Sequence, residues 1–493
     1  MLRPLHIAIL GSTRSLLGVG RGRFALIGLV WLLWVCGGPP VVAQPAVPRN
    51  IAGEVIPAEF FGLHFRRDKI AWPAVPFGSL RLWDTDTRWQ QMNPGPGRFE
   101  WAVLDDYLRA AKSHGVSDVF LTLSSTPKWA SSDPSNRLCD YGGLIAPGTR
   151  GDCDPPNDLN RDGTGSDQHW RDFVYAMAAH LASLDRGVYA EVKHFGMWNE
   201  FTRKASWTGT SQQLVRMAQD ANCILTGRGM ITSLGQSCTA ANQGEPGVGV
   251  LAAARLGTPE AVAGPSSSPA LGAYLATAGA AEAADVVVVH AYAYPDMGPA
   301  AAEDLGPRWQ SLADAIPNEA KDRPAWSSEG SWGDTARRLP DTDMQMAYVT
   351  RYFLLGWSLG YRRMYWYAAD SSWGRLIRPN GIEGCRDKRS GMGCPTPAAK
   401  AWATVYRWMV GSRMTRQCAV QGKWVWTCEL TTPDGEKAMA VWDASQPCAG
   451  GECASSSYGA PAGYTKYETL DGDEYRVRDG HVPIRAKPIL LRH

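Results

Sequence analysis

The stretch KHFGMWNE at residues 193–200 is a short apolar run that ends in an asparagine and a glutamate. A second stretch, PAWSSEG at residues 324–330, has the same form and carries Glu329 near its end. Short apolar runs of this kind are typical of strands buried on both faces, as in a parallel sheet covered by helices. The polar residues that end such strands are therefore the first candidates for chemistry.

Apolar runs alternate with helical stretches such as 101–114 and 170–184 over roughly 350 residues. This alternation predicts repeated strand–helix units around a parallel sheet. Eight such units form a (β/α)8 TIM barrel, an α/β fold whose reactive groups lie at the carboxyl ends of its strands. The eight candidate strands are Phe60–Phe65, Ser79–Trp83, Val119–Leu123, Lys193–Trp198, Met230–Leu234, Asp285–His290, Ala325–Ser328 and Arg363–Tyr367.

Three connections that follow predicted strands are long: 124–167, 235–270 and 368–397. Stretches of this length without regular structure usually form lids or binding loops. Because each follows a strand, we expect all three at the active face of the barrel.

The pattern changes after residue 411 to short alternating runs separated by turn signals such as PDG at 433–435. This predicts a small antiparallel, β-sandwich-like domain over 412–493, which the segment 44–57 can extend by a strand. The barrel then spans 58–411. Residues 1–43 read as a signal peptide, because arginines precede a 12-residue apolar run and a small-residue cleavage site. An uncleaved membrane anchor is the alternative, but the run is short for a span.

The composition fits a globular protein of one large and one smaller domain. The chain has 493 residues, 44% of them hydrophobic and 20% charged, which excludes a disordered chain. Its 50 basic and 48 acidic residues give no basic field for nucleic acid. We expect a monomer that is exported to the periplasm or the extracellular space and has no membrane span in its mature form.

The cysteines support export. Eleven are present, and the ten outside the leader fall in close pairs, which predicts local disulfides in an oxidising compartment. A zinc site is the weaker alternative, because no C-x-x-C pair is present. The predicted pairs are Cys139/Cys153, Cys223/Cys238, Cys385/Cys394, Cys418/Cys428 and Cys448/Cys453.

Two strand-end glutamates, Glu200 and Glu329, suggest hydrolysis of a glycosidic bond. Retaining hydrolysis needs a carboxylic acid to protonate the leaving oxygen and a carboxylate to attack the anomeric carbon, about 5–5.5 Å apart. The dipeptide alone means little, since Asn318-Glu319 also occurs in a polar stretch without a preceding strand. Burial of both glutamates as ion-pair partners of arginine is the alternative interpretation.

Trp198-Asn199-Glu200 after the fourth run and Ser328-Glu329-Gly330 after the seventh resemble the signatures of clan A retaining glycoside hydrolases. The resemblance covers about 58–410 and is closest to the β-xylosidase-like family 39 and its exopolysaccharide-hydrolysing relatives. It implies that Glu200 is the general acid/base and Glu329 the nucleophile.

The same resemblance gives roles to neighbouring residues. Arg81 matches an arginine that hydrogen-bonds the nucleophile, and the pattern His290-Ala291-Tyr292 faces the nucleophile in this clan. Asn199 would hold the sugar 2-hydroxyl. The alternatives are an ion pair for Arg81, a strand-end cap for Asn199, and core packing for His290 and Tyr292.

Aromatic residues are candidate sugar platforms, since indole faces stack on pyranose rings. Trp366 occupies the place where clan members carry a platform for the reacting sugar, and Trp129 and Trp332 are weaker candidates among the 21 tryptophans. Core packing is the alternative for each. His64, at the end of the first run, could reach a sugar hydroxyl.

Both catalytic roles at neutral pH require different environments for the two glutamates. We expect apolar surroundings to raise the pKa of Glu200, and Arg81 to keep Glu329 ionised.

The segment from Asp158 to Asp162 matches the first half of an EF-hand calcium loop, but position 12 is His169 instead of glutamate. A plain Asx-rich turn is the favoured interpretation. We expect no metal and no cofactor. The sequence has no G-x-S-x-G, H-E-x-x-H or Walker-type motif, which disfavours a serine hydrolase, a zinc peptidase and an NTPase.

The sequence therefore predicts a retaining hydrolase of β-glycosidic bonds in a poly- or oligosaccharide. The rival functions are a non-catalytic polysaccharide-binding protein and a polysaccharide lyase.

Overall fold

The computed structural model describes residues 53–65, 72–139, 150–243, 245, 247–294, 300–378, 394–449 and 452–493. The predicted signal peptide lies outside these residues. Parallel strands form one nine-stranded sheet in the first part of the chain. They are Phe61–His64 (β1), Ser79–Leu82 (β2), Asp118–Thr122 (β3), Val192–Gly196 (β4), Arg255–Leu256 (β5), Ala261–Val262 (β6), Val287–His290 (β7), Ala325–Gly330 (β8) and Tyr361–Trp366 (β9).

The sheet closes into a barrel through the short strands β5 and β6. β1 pairs with both β2 and β9, which joins the first strand to the last. On the other side β5 pairs with β4, and β6 pairs with β7. Since only four residues separate β5 from β6, this one segment completes the ring, and the predicted TIM barrel is confirmed.

The predicted fifth strand is wrong. Met230–Ile231 pairs with Gln236–Ser237 in a small antiparallel ribbon. The fifth strand position of the barrel is occupied by the segment 255–262. Gly257 and Pro259 interrupt this segment, and a proline supplies no N–H to a ladder, so the segment lacks an obvious strand pattern. The supposed long loop 235–270 therefore contains part of the barrel.

Helices cover the outer face of the strands. The longer ones are Ala102–Ser113 (α1), Gln168–Ser183 (α2), Ser211–Thr226 (α3), Ser268–Leu275 (α4), Leu305–Ala315 (α5), Thr342–Leu359 (α6) and Pro397–Met409 (α7). α1 illustrates why these segments form helices with one buried face: Leu104, Leu108 and Ala111 recur at helical spacing and are all buried. A capping box formed by Thr210 and Gln213 begins α3, and Gly227 ends it in the left-handed conformation.

The barrel interior is filled in layers. Phe120, Val288, Trp326 and Tyr365 form an apolar layer with Val286. Alternation along each strand then turns the residues two places later toward the carboxyl end, where polar side chains gather. Gly62 leaves room for this layer, because a Cβ there would lie 2.4 Å from the Tyr365 ring.

The C-terminal part of the chain forms antiparallel sheets, as expected. Val55 makes an antiparallel bridge to Arg413, at the edge of the main sheet. That sheet has six strands, in the order Arg413–Gln421, Val425–Thr431, Lys437–Asp443, Ile489–Arg492, Lys466–Glu468 and Glu474–Arg476. A smaller pair joins Ser456–Gly459 to His481–Ile484.

Four of the five predicted disulfides are present, at Cys139–Cys153, Cys223–Cys238, Cys418–Cys428 and Cys448–Cys453. The fifth includes Cys385, which lies outside the described residues. Among the helices of the described chain, none combines the length and the apolar character that a bilayer span requires.

Candidate active site

Glu200 and Glu329 lie together at the carboxyl end of the barrel. Glu200 follows β4, and Glu329 lies in β8, where a register shift after Ser327 interrupts the ladder to both neighbouring strands. Such bulges re-aim side chains next to active sites. One carboxylate oxygen from each glutamate and one ring nitrogen of His290 all lie within 4.8 Å of one another. By contrast, Glu319 of the second Asn-Glu dipeptide is exposed at the surface.

Glu200 has a left-handed backbone conformation, with φ of 46°. A residue with a side chain adopts this conformation only when its surroundings impose it. Two backbone hydrogen bonds do so: the Glu260 N–H donates to the Trp198 carbonyl at 2.7 Å, and the Phe201 N–H donates to the Glu260 carbonyl at 3.1 Å. The segment that closes the barrel thus also fixes the turn that carries Glu200.

Arg81 is fully buried at the end of β2. Its guanidinium donates to Glu329 Oε1 at 2.7 Å and to Asn199 Oδ1 at 2.9 Å. The same group donates to Glu260 Oε2 at 2.6 Å. Arg81 therefore connects the proposed nucleophile to the asparagine beside the proposed acid/base.

Glu260 is a third carboxylate of the site, and the sequence analysis missed it. Its side chain is 0% exposed. Oε1 accepts from Thr122 Oγ1 at 2.7 Å, and Oε2 accepts from Arg81, from His290 Nε2 at 2.8 Å and from Ser328 Oγ at 3.0 Å. The stretch RLGTPE at 255–260 is a short run that ends in an acid, as at Glu200 and Glu329. Gly257 and Pro259 interrupt it, so its pattern does not indicate a strand.

A glycine on β4 makes space for this third carboxylate. A Cβ at Gly196 would lie 2.4 Å from Glu260 Oε1 and 2.9 Å from Thr122 Oγ1. Any larger residue at position 196 would displace the Glu260 side chain.

His290 and Tyr292 both face the carboxylates. His290 Nδ1 lies 3.1 Å from Glu200 Oε1 and 3.4 Å from Glu329 Oε2. The Tyr292 hydroxyl donates to Glu329 Oε2 at 2.8 Å, and burial raises the pKa of this tyrosine well above its usual value. The two residues follow the alternation of β7, which directs both rings into the site.

Electrostatics in the site differ from the expectation for Glu200. Burial acts to raise the pKa of Glu200, but the contact with His290 and the charge of Arg203 outweigh it, so this pKa is lowered. The surroundings are cationic, not apolar: Arg203 Nη1 donates to Glu200 Oε2 at 2.9 Å. This direction is the opposite of the raised pKa expected for a general acid, and it favours the ionised form of Glu200.

The pKa of His290, next to Glu200, is shifted toward the charged form. Burial opposes the charged ring, but the negative charges of Glu329 and Glu200 and the hydrogen bonds to Glu200 and Glu260 raise the pKa of His290 to about 9. For Glu260, burial is outweighed by the charge of Arg81 and the hydrogen bond from His290, which lower its pKa to about 2.

His64 lies beside the cluster but is buried behind it. Its Nε2 contacts Asp84, and its Nδ1 lies 3.3 Å from Arg81 Nη1. Tyr367 packs on the His64 ring, and its hydroxyl donates to Asp84 Oδ2 at 2.9 Å. His64 thus orients Arg81. Tyr367, which the sequence analysis did not single out, directly follows β9 and is the aromatic residue on this side.

Two predicted sugar platforms are wrong. Trp366 is 0% exposed and packs on Trp332, Tyr352 and Trp402 in the core under the helices. Trp332 is equally buried and donates to Thr335. Because side chains alternate along β9, Tyr365 and Tyr367 point into the barrel and Trp366 points away from it.

Trp129 is half-buried. Its indole donates to the Asn93 carbonyl at 3.0 Å, and its ring contacts His169. The contacts of Trp129 within the described chain do not include the carboxylate cluster.

The loop that resembles a calcium-binding loop, which begins at Asp158, is held by hydrogen bonds within the protein. Asp158 Oδ2 accepts from the backbone N–H groups of Gln168 and His169 at the start of α2. The Arg216 guanidinium donates to the Gly163 and Gly165 carbonyls at 3.1 Å each. The carbonyl at position 7 of the loop, Thr164, accepts from the Asn160 N–H at 2.8 Å, so the backbone ligand of an EF-hand loop is already used within the loop and the residues present do not fit that ion.

A small cleft adjoins Asn199. It is lined by Trp83, Arg88, Ser124, Ser125, Asp152, Trp198, Asn199, Ala205 and Ser206. Arg88 is buried and lies 3.9 Å from Asp152 Oδ2, so polar groups of both charges border the space next to the carboxylates.

The fold is similar to those of solved glycoside hydrolases. A family 39 glycoside hydrolase from Bacteroides cellulosilyticus WH2 aligns over 88% of this chain and 81% of its own, at 15% identity and a TM-score of 0.55. A family 39 enzyme from Xanthomonas axonopodis pv. citri aligns over 90% and 95%, at 15% identity and a TM-score of 0.52. A monomeric β-xylosidase from Caulobacter crescentus CB15 aligns over 90% and 97%, at 14% identity and a TM-score of 0.53.

The sequence matches no family model and no curated protein. At the identities above, the likeness establishes the fold, and the structural neighbours include the family 39 group that the motifs resemble.

Proposed function

We propose that the protein is a retaining glycoside hydrolase that cleaves β-glycosidic bonds in a poly- or oligosaccharide. The observation that carries this proposal is the proximity of Glu200 and Glu329, whose nearest oxygens lie within 4.8 Å at the carboxyl end of the barrel. Retaining enzymes hold their two carboxyl groups about 5–5.5 Å apart, whereas inverting enzymes keep them about 6.5–9.5 Å apart to admit a water.

Glu329 acts as the nucleophile. Arg81 and Tyr292 donate to its two oxygens, which directs the carboxylate and stabilises its charge until it attacks the anomeric carbon. Formation of the glycosyl ester consumes that charge. The bond to the leaving oxygen breaks in the same step, so the leaving oxygen must receive a proton.

Glu200 supplies this proton and later activates water. Glu200 and His290 are 3.1 Å apart and hold one proton between them. Transfer of this proton from Nδ1 to the carboxylate produces the acid form of Glu200 with a neutral imidazole. After the leaving group has taken the proton, Glu200 is a carboxylate again and removes a proton from the attacking water.

Asn199 binds the 2-hydroxyl of the reacting sugar. Its Oδ1 is held by Arg81, which leaves the amide N–H groups to donate. Hydrogen bonds at this hydroxyl strengthen in the oxocarbenium-like transition state.

We further propose that the protein works outside the cytoplasm. Four disulfides in the described chain suit an oxidising compartment, and the leader motif predicts export.

The test is incubation with a panel of plant and bacterial polysaccharides, with products analysed by size and by NMR of the anomeric proton. Retained configuration in the first product supports the proposal, and inverted configuration contradicts it. An unsaturated, ultraviolet-absorbing product would identify a lyase. Binding of a glycan without any product would identify a non-catalytic polysaccharide-binding protein.

A further inference from the structure

Glu260 contacts both cations at the base of the site, Arg81 and His290, through a single carboxylate oxygen. Its Oε2 lies 2.6 Å from Arg81 Nη2 and 2.8 Å from His290 Nε2. Arg81 then contacts Glu329, and His290 contacts Glu200. Each of the two proposed catalytic carboxylates is thus reached from Glu260 through one cation.

The position of His290 between two carboxylates defines its hydrogen bonding. An ionised carboxylate only accepts, so an imidazole with Glu200 on Nδ1 and Glu260 on Nε2 must donate from both nitrogens. An imidazole that donates from both nitrogens is the charged, protonated form. Without the negative charge of Glu260, the hydrogen bond from His290 Nε2 would be weaker, and the charged ring would be less favoured relative to the neutral ring.

We propose that Glu260 is a positioning residue that keeps His290 protonated on both nitrogens and so holds, next to Glu200, the proton used in catalysis. The proposal rests on the proposed function for the use of that proton, but not for the state of the ring. We expect Glu260 to touch no substrate, because its side chain is 0% exposed, whereas the side chains of Glu200 and Glu329 keep 9% and 6% of their surface exposed.

The charged groups that face His290 come from every strand around it. Glu200 follows β4, Glu260 precedes β6, Glu329 lies in β8, and Arg81 on β2 faces the ring across Glu260. Tyr292, from its own strand, has its ring centroid 6.4 Å away. Arg203 contacts Glu200 from the far side, at 2.9 Å. Three carboxylates against two guanidiniums favour the imidazolium, consistent with the pKa of His290, which is raised to about 9.

Glu260→Gln removes the charge and keeps the shape. The amide oxygen can still accept from Arg81 or His290, and the amide N–H can donate to Thr122 Oγ1, which now donates to Oε1. We expect the pKa of His290 to fall by about 1–3 units in this variant. The basic limb of the pH profile of kcat/KM should move to lower pH by a similar amount, and kcat should fall about tenfold or more.

The experiment follows the His290 ring by NMR of ¹⁵N-labelled full-length protein between pH 5 and 10, assigned by difference from His290→Asn. In the wild type both ring nitrogens should be protonated at pH 7. A neutral His290 ring at pH 7 would overturn the proposal, and this measurement needs neither the Glu260 variant nor any activity.

Two variants act as controls. Ser328→Ala removes a hydrogen bond to the same Glu260 oxygen, at 3.0 Å, but leaves the charge, so the His290 titration should stay within about 0.3 units. Asp118→Asn removes a buried carboxylate that contacts another histidine, His194, at 3.5 Å, and should leave the His290 titration unchanged. An unchanged His290 titration in folded Glu260→Gln would also refute the proposal.

The two proposals fail separately. If His290 titrates as expected but no glycan is cleaved, the role of Glu260 stands and the glycosidase function does not. If glycans are cleaved with retention but Glu260→Gln leaves both the His290 titration and the pH profile unchanged, the glycosidase function stands and the role of Glu260 does not.

Discussion

The two ends of the barrel interior each contain a buried cluster of an acid, a histidine and an arginine, but the two clusters have different neighbours. At the amino-terminal side, Asp118 contacts Arg363 and lies 3.5 Å from His194. At the carboxyl side, Glu260 contacts Arg81 and His290 in the same way. The apolar layer of Phe120, Trp326 and Tyr365 separates the two clusters.

The carboxyl end differs by its two additional carboxylates, Glu200 and Glu329. In both clusters burial acts to raise the pKa of the central acid. A hydrogen bond from a histidine and the charge of an arginine outweigh burial in both, so Asp118 and Glu260 have lowered pKa values. A buried acid–histidine–arginine cluster is therefore not by itself a sign of catalysis. Chemistry requires the further carboxylates that the cations hold at the open end of the barrel.

The largest expected effect comes from Glu329→Gln, which removes the attacking group from the carboxyl end. We expect kcat to fall about 10⁴-fold or more while the fold is retained, because no other carboxylate can form the glycosyl ester. Turnover of an aryl glycoside and circular dichroism together check this. Turnover close to that of the wild type would remove Glu329 from the nucleophile role.

Glu200→Gln should be less severe and should depend on the leaving group. A glycoside with a poor leaving group needs protonation and should lose about 10²–10⁴-fold in kcat. A substrate with a good leaving group should still glycosylate Glu329, and azide should then restore turnover. The measurement is detection of a glycosyl azide of retained configuration; its absence would show that Glu200 is not the acid/base.

Asp118→Asn tests the other end of the barrel. Loss of one partner from a buried ion pair typically costs about 3–5 kcal/mol of folding free energy, because the remaining charge is left uncompensated. We expect a variant with lower stability in denaturant titrations and an unchanged pH profile of kcat/KM. A shifted profile would mean that the two ends are coupled through the apolar layer.

Trp366→Phe is expected to have the smallest effect on function. Since the ring lies in the core, we expect a loss of about 1–3 kcal/mol in stability and no change in KM. Trp424→Phe is the matched control: Trp424 is 46% exposed, so its replacement should change stability by about 0.5 kcal/mol or less. A raised KM in Trp366→Phe alone would restore the predicted sugar platform.

The sequence by itself determined the class of fold and the identity of the two strand-end glutamates. Seven of the eight predicted strands lie at barrel strands, because an apolar run between helices has few other places to be buried. The same local signal located Glu200 and Glu329. Cysteine spacing located the four observed disulfides, since each pair closes a short loop.

Only the tertiary structure decided which polar groups meet. Glu260 lies 60 residues from Glu200 and follows a segment broken by glycine and proline, so local patterns gave it no strand. Its role arises from the closure of the barrel, which brings β4, β6, β7 and β8 to one point. The charge of His290 and the lowered pKa of Glu200 follow from that convergence, because a pKa depends on neighbours in space and not on neighbours in sequence.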